Sequence, residues 1–105
     1  GHFFKAIDTM PEFPGGIPAM NDFLKKNLHY PSQALENQIE GTIFITFTIE
    51  ENGKITSVSV MRGVDGGFDD EALRAIQSMP DWRPGYKNGK PVRVQINLPI
   101  KFQLF

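Results

Sequence analysis

The sequence predicts a small α+β domain, on three observations. Two runs of β-branched and aromatic residues alternate at period two around an Asn-Gly turn, between Thr42 and Arg62. Two segments, Ala19 to Leu28 and Asp69 to Met79, carry apolar residues at helical spacing. The chain closes on a long period-two run from Val92 to Leu104. At 105 residues there is one domain's worth of chain. A domain of that size buries roughly two thirds of its unfolded surface, enough for one modest core.

Gly1-His2 reads as the remnant of a cloning tag, and residues 1–12 as an N-terminal extension. Gly1 to Pro18 is expected to be irregular, because Pro11, Pro14 and Pro18 oppose a helix. Its aromatics, Phe3, Phe4 and Phe13, suggest a segment pinned to the domain. The first helix is expected at Ala19 to Leu28, with Met20, Phe23, Leu24 and Leu28 on one face. Tyr30-Pro31 ends it, since a residue before proline avoids the helical region. Ser32 to Asn37 can hold one further turn.

Thr42 to Glu50 is expected as a strand, with Ile43, Ile45, Phe47 and Ile49 on one face. Asn52-Gly53 suits a hairpin with positive φ at both central residues. The return strand, Ile55 to Arg62, alternates imperfectly, and a bulge near Thr56-Ser57 would reconcile its apolar positions. Gly63 to Gly67 reads as a loop. In the second helix Asp69 is the expected N-cap and Ala72, Ala75, Ile76 and Met79 the inner face. Trp82 to Gly85 reads as a compact turn, and Asn88-Gly89-Lys90-Pro91 as the lead into the last strand.

That strand is the clearest pattern in the chain. Val92, Val94, Ile96, Leu98, Ile100, Phe102 and Leu104 fall on one face. Arg93, Gln95, Asn97, Lys101 and Gln103 fall on the other. Pro99 interrupts the run, and proline cannot donate to a sheet ladder. The strand is therefore expected at an edge, with the missing donor pointing outward.

Composition argues against most chemistries. Eleven basic and 12 acidic residues give a net charge of −1, so nothing favours nucleic acid or an anionic membrane. The absence of cysteine excludes disulfides, thiolate metal sites and thiol catalysis. His2 and His29 are the two histidines, and neither has partners at metal-ligand spacing. Glu50-Glu51 brackets a turn and Asp69-Asp70-Glu71 opens a helix, which accounts for both without acid–base work. The serines, among them Ser57 and Ser59, lack a nucleophile context. Asn88-Gly89-Lys90 lacks the glycine spacing of a phosphate loop. Trp82 reads as a core plug, with an exposed recognition aromatic as the other possibility. No catalytic set, metal or cofactor is expected. The last strand's edge remains: either its charges and the N-terminal segment protect it, or a partner strand adds to it.

Several motifs recur in one order: Pro14-Gly15-Gly16, Tyr30-Pro31, Glu40-Gly41, Asn52-Gly53-Lys54-Ile55, Ala72-Leu73, Trp82-Arg83-Pro84-Gly85, Gly89-Lys90-Pro91-Val92 and Leu98-Pro99-Ile100-Lys101-Phe102. Together they resemble the TonB C-terminal domain family, in its Bacteroidetes form, over about residues 13–105. The resemblance implies an α+β fold of two helices packed on one face of a small three-stranded antiparallel sheet. It implies a periplasmic domain of a protein anchored in the inner membrane. Family members couple an inner-membrane motor of the ExbB/ExbD type to nutrient import by outer-membrane receptors. They pair the receptor's TonB box with the last strand, which maps to Val92 through Phe102 and so to Arg93, Val94, Gln95, Ile96, Asn97 and Leu98. The family's Tyr-Pro motif, near the receptor plug, maps to Tyr30-Pro31, preceded by Asn27, Leu28 and His29. The sequence departs from enteric members, which carry Gln-Pro where Leu28-His29 stands. Similar domains also form tails of sensor-transducer metallopeptidases. A homodimer that swaps strands through the same edge is a third possibility.

Overall fold

Ile43, Ile45, Phe47 and Ile49 are wholly buried, and the domain is assembled around the strand that carries them. The structure is a computed structural model that describes residues 7–63 and 67–104. In chain order it holds α1 (Gly16–Asn27), α2 (Ser32–Glu36), β1 (Gly41–Ile49), β2 (Ile55–Arg62), α3 (Phe68–Gln77), β3 (Gly85–Lys87), β4 (Lys90–Val92) and β5 (Val94–Phe102). β1 is central in an antiparallel sheet of order β2-β1-β5, and β3 and β4 form a separate hairpin. The expected α+β architecture is the one observed, with α2 a single short turn beside the two longer helices.

The helices lie over one face of the sheet. Phe68, Ala72, Ala75 and Ile76 of α3 are wholly buried, and Met79 beyond its end nearly so. Met20, Phe23 and Leu24 of α1 pack against the same core from half-buried positions. Phe13 anchors the chain ahead of α1, its ring 5.7 Å from Phe23 and 5.9 Å from Trp82. Trp82 stacks edge-on against Phe47 at 5.6 Å, which makes it the core plug expected of it.

Several boundaries differ from expectation, each for a physical reason. α1 begins at Gly16 rather than Ala19, because Pro18 falls in the first turn, where its missing N–H has no intrahelical partner to lose. α3 begins at Phe68, with Gly67 as N-cap instead of Asp69. Asp69, Asp70 and Glu71 still occupy the first turn, where the helix dipole favours them. The hairpin between β1 and β2 has a three-residue loop: Glu50 N–H donates to Lys54 O at 2.9 Å, and only Gly53 has positive φ. A Cβ on Gly53 would stand 2.1 Å from the Trp82 carbonyl oxygen, so the turn is locked against the core plug. The predicted bulge is present, with Ser57 at φ 54° and a break in register between Thr46 and Thr48. It brings Ile55, Val58 and Val60 together against the core. The centre of the loop expected at Gly63 to Gly67, and Phe3 and Phe4, lie outside the described residues.

The last strand requires the largest correction. It is not continuous from Val92 to Leu104. Arg93 leaves the ladder, Val92 belongs to β4, and β5 runs from Val94 to Phe102. Asn88-Gly89 is not a lead-in but a tight hairpin turn between Lys87 and Lys90, with φ of 52° and 77°. Residues 8–12 run alongside this hairpin. Thr9 and Tyr86 exchange backbone bonds of 3.1 and 2.9 Å, and Glu12 and Arg83 exchange bonds of 3.0 and 2.8 Å. The described part of the N-terminal segment thus lies along residues 83–86, not along β5.

Candidate partner-binding site

β5 pairs with β1 through nine consecutive partners, Gly41 opposite Phe102 to Ile49 opposite Val94. Its backbone polarity follows from the neighbouring hairpin. Glu50 turns its N–H toward β2, where Lys54 accepts it. Successive backbone groups of a strand point to opposite sides, so Thr48, Thr46 and Phe44 also face β2. Ile49, Phe47, Ile45 and Ile43 face β5, where their partners are Val94, Ile96, Leu98 and Ile100. Gln95, Asn97, Pro99 and Lys101 therefore aim their backbone groups away from β1. No described strand lies on that side. Pro99 sits opposite Phe44 without loss, because that pair exchanges no ladder bonds. Its missing donor points outward, as the sequence pattern requires.

The two faces of β5 differ along its length. Gln95, Asn97, Pro99 and Lys101 are exposed on the outer face. The Gln95 amide donates to Thr46 Oγ1 at 2.8 Å, and Arg93 is ion-paired with Glu50 at 3.1 Å. On the helical face Ile100 and Phe102 are buried, whereas Val94, Ile96 and Leu98 are only half-buried. Beside Ile96 and Leu98 lies a cavity of about 590 Å³, walled also by Phe13, Met20, Trp82 and Tyr86. Met10 (56% exposed) and Ile17 (69%) stand at its rim. The Trp82 indole N–H is buried with no hydrogen-bond partner among the described residues.

Residues 27–31 form a second, separate cluster. Tyr30 packs edge-on against Phe68 (5.6 Å) and Phe102 (6.0 Å), and its hydroxyl donates to the Ile39 carbonyl. Burial, and then the Glu40 carboxylate, hold the phenol above its ordinary pKa, so it remains a neutral donor. Asn27 caps its own helix through a 2.8 Å bond from its amide to Phe23 O, and Leu28 packs on the core. The Asn27 carbonyl accepts from Arg74, and the His29 N–H donates to Glu71 Oε2 at 2.6 Å. Arg74, hydrogen-bonded to both carboxylate oxygens of Glu71 at 2.7 and 3.0 Å, is the main cause of that carboxyl's lowered pKa. Of the five residues, only the His29 side chain is largely exposed, at 75%; Pro31 is half-buried. Tyr30 touches the Phe102 end of β5, about 20 Å along the strand from Ile96. The two predicted sets therefore share one strand but not one patch.

The cavity walls were not legible as a site. Met10 and Ile17 lie in a proline- and glycine-rich stretch without periodicity, and Met20 reads as an ordinary helix-face residue. Tertiary structure brings them next to β5: the bridges of Thr9 to Tyr86 and Glu12 to Arg83 hold the segment of Met10, and α1 carries Ile17 and Met20.

A helical layer over an antiparallel sheet, with no described strand beyond β5, defines a small α+β domain. Residues 26–104 match the model for the Gram-negative bacterial TonB protein C-terminal, and the chain belongs to that family. Protein TonB of Pseudomonas aeruginosa is 32% identical over 100 residues, a match covering 87% of this chain and 29% of that protein. The chain thus spans under a third of the length of this relative. The solution structure of the Helicobacter pylori TonB C-terminal domain superposes with a TM-score of 0.63, covering 83% of this chain and 91% of the other at 24% identity, a likeness of fold.

Proposed function

We propose that this chain is the periplasmic, receptor-docking domain of a TonB-type energy transducer. It binds the TonB box of outer-membrane receptors by accepting it as a further strand on β5, and so helps to drive nutrient import. The observation that carries this reading is the open edge of β5: nine regular pairs on one side and no described strand on the other. An unpaired edge is a template for another chain, and backbone bonds supply much of the affinity of such a complex. The cavity beside Ile96 and Leu98 supports the same reading, because alternate side chains of an added strand would fall on that face. Family membership supports the class of partner.

The remainder of the transducer belongs to the same proposal. An inner-membrane anchor and the contact with an ExbB/ExbD-type motor reside in sequence outside this chain; no helix among the described residues is long and apolar enough to cross a membrane. The domain itself performs no catalysis. On this reading His29, whose side chain is 75% exposed, is the residue of the Tyr-Pro cluster that meets a receptor.

Capture on immobilised domain tests the reading. Detergent-solubilised outer-membrane receptors should be retained, and the same receptors with the TonB box deleted should pass through. Equal retention of both would refute docking through the box.

A further inference from the structure

We propose that Pro99 is a register stop: the strand accepted by β5 ends opposite Leu98 and leaves the sheet there. The proposal rests on the strand-addition reading and adds to it which stretch of the edge is used. Two independent features of β5 coincide at this residue.

The first is the donor pattern. Gln95 and Asn97 each present an outward N–H and C=O, so each can form a two-bond pair with an incoming residue. Pro99 presents a carbonyl alone. An incoming strand that continued past it would turn one carbonyl toward a position with no N–H. Lys101 restores the donor, but only across that gap. At the other end, Arg93 leaves the ladder for β4. The usable stretch is residues 94–98.

The second is the side-chain surface. Ile96 and Leu98 border the cavity, so side chains of a strand paired here have apolar walls to meet. Beyond Leu98 that surface closes. Ile100 and Phe102 are 2% and 4% exposed, with the Tyr30 ring set against Phe102. A longer paired strand would gain neither the backbone bond nor the groove contact. The partner chemistry that follows is a short extended segment, apolar at alternate positions, whose flanking residues are free of the sheet. Pro99 is here a positioning residue and touches no reacting group.

The test uses a long synthetic TonB-box peptide and a core peptide trimmed to the stretch that spans residues 94–98. Binding is followed by titration and by backbone amide protection of the domain. In the native chain, the Gln95 and Asn97 amides should become protected, the Lys101 amide should not, and the two peptides should bind within about 2-fold of each other. In Pro99→Ala, protection should extend to residues 99 and 101. The long peptide should then tighten by roughly 3- to 10-fold, the worth of one recovered backbone bond. Pro99→Thr, which suits a strand better, gives the same comparison should alanine loosen the sheet. Protection of Lys101 in the native chain, or Pro99 variants indistinguishable from it, overturns the register stop alone. Binding that leaves the Gln95 and Asn97 amides unprotected overturns strand addition as well.

Discussion

The two outer strands of the sheet have the same neighbour and opposite edges. β2 meets β1 through two breaks in register, one at Ser57, held at φ 54°, and one that skips Met61. β5 meets β1 through nine pairs without a break. A bulge bends a strand, raises its twist and spoils the even spacing of outward N–H groups, so it protects an edge from pairing. β5 has no such device over residues 94–98. One edge is shaped to refuse a strand and the other carries no such obstacle over residues 94–98, although both strands set apolar side chains against the one core.

Substitutions can break this contrast or sharpen it. The largest effect is expected from Ile96→Pro, which removes an N–H that β5 directs at Phe47. Chemical denaturation should show a loss of roughly 3 kcal/mol, since the ladder bond goes and a buried carbonyl is left without a donor. Gly53→Ala should cost about 2 kcal/mol, because the new Cβ would meet the Trp82 carbonyl and the residue keeps a positive φ.

Glu71→Gln addresses the helical layer over the β2 side. The Glu71 carboxyl is held low first by Arg74 and then by the His29 amide, with burial opposing them. A depressed carboxyl contributes stability above its unfolded value, and that contribution fades as pH falls through the folded one. Native stability should therefore drop on acidification below about pH 5, by about 1 kcal/mol more than in Glu71→Gln. Urea midpoints across pH would show the two curves converging in acid, while peptide binding at neutral pH stays unchanged. The smallest effect is expected from Ser57→Gly, which relaxes the positive φ of the bulge. It should stabilise by about 0.5 kcal/mol in thermal melts and leave affinity unaltered.

Much of this fold was legible because burial writes periodicity into sequence. The β1 alternation, the inner face of α3, the bulge at Ser57 and the edge position of β5 could all be read from residue order. Pro99 identified the edge, since a proline inside a strand admits few other placements. The two Asn-Gly pairs show where such reading stops. Asn52-Gly53 and Asn88-Gly89 look alike, yet only the second forms the turn with two positive φ values. The first closes a three-residue loop whose shape is fixed by Trp82, distant in sequence. Arg93 was hidden for a related reason. Side-chain alternation continues through it from Val92 to Val94, while the backbone changes sheets. The site divided in the same way. Gln95 and Asn97 were visible by alternation, but the cavity beside Ile96 and Leu98, on the other face of β5, joins the segment ahead of α1 to the turn after α3, a juxtaposition that only tertiary structure creates. Tyr30 carried a family motif, and packing shows how much of that motif serves the core.

If β5 accepts a receptor strand as proposed, it binds through its outward backbone groups, and Asn97 separates backbone from side chain. Its N–H points away from β1 and its side chain is exposed, so neither Asn97→Pro nor Asn97→Ala removes a ladder bond of the fold. Titration of a receptor TonB-box peptide into both variants, each checked for a native melting curve, measures the contribution directly. The expected result is near-native affinity for Asn97→Ala and affinity weaker by roughly 10-fold for Asn97→Pro, which loses the outward N–H. Equal affinity in the two variants would contradict it.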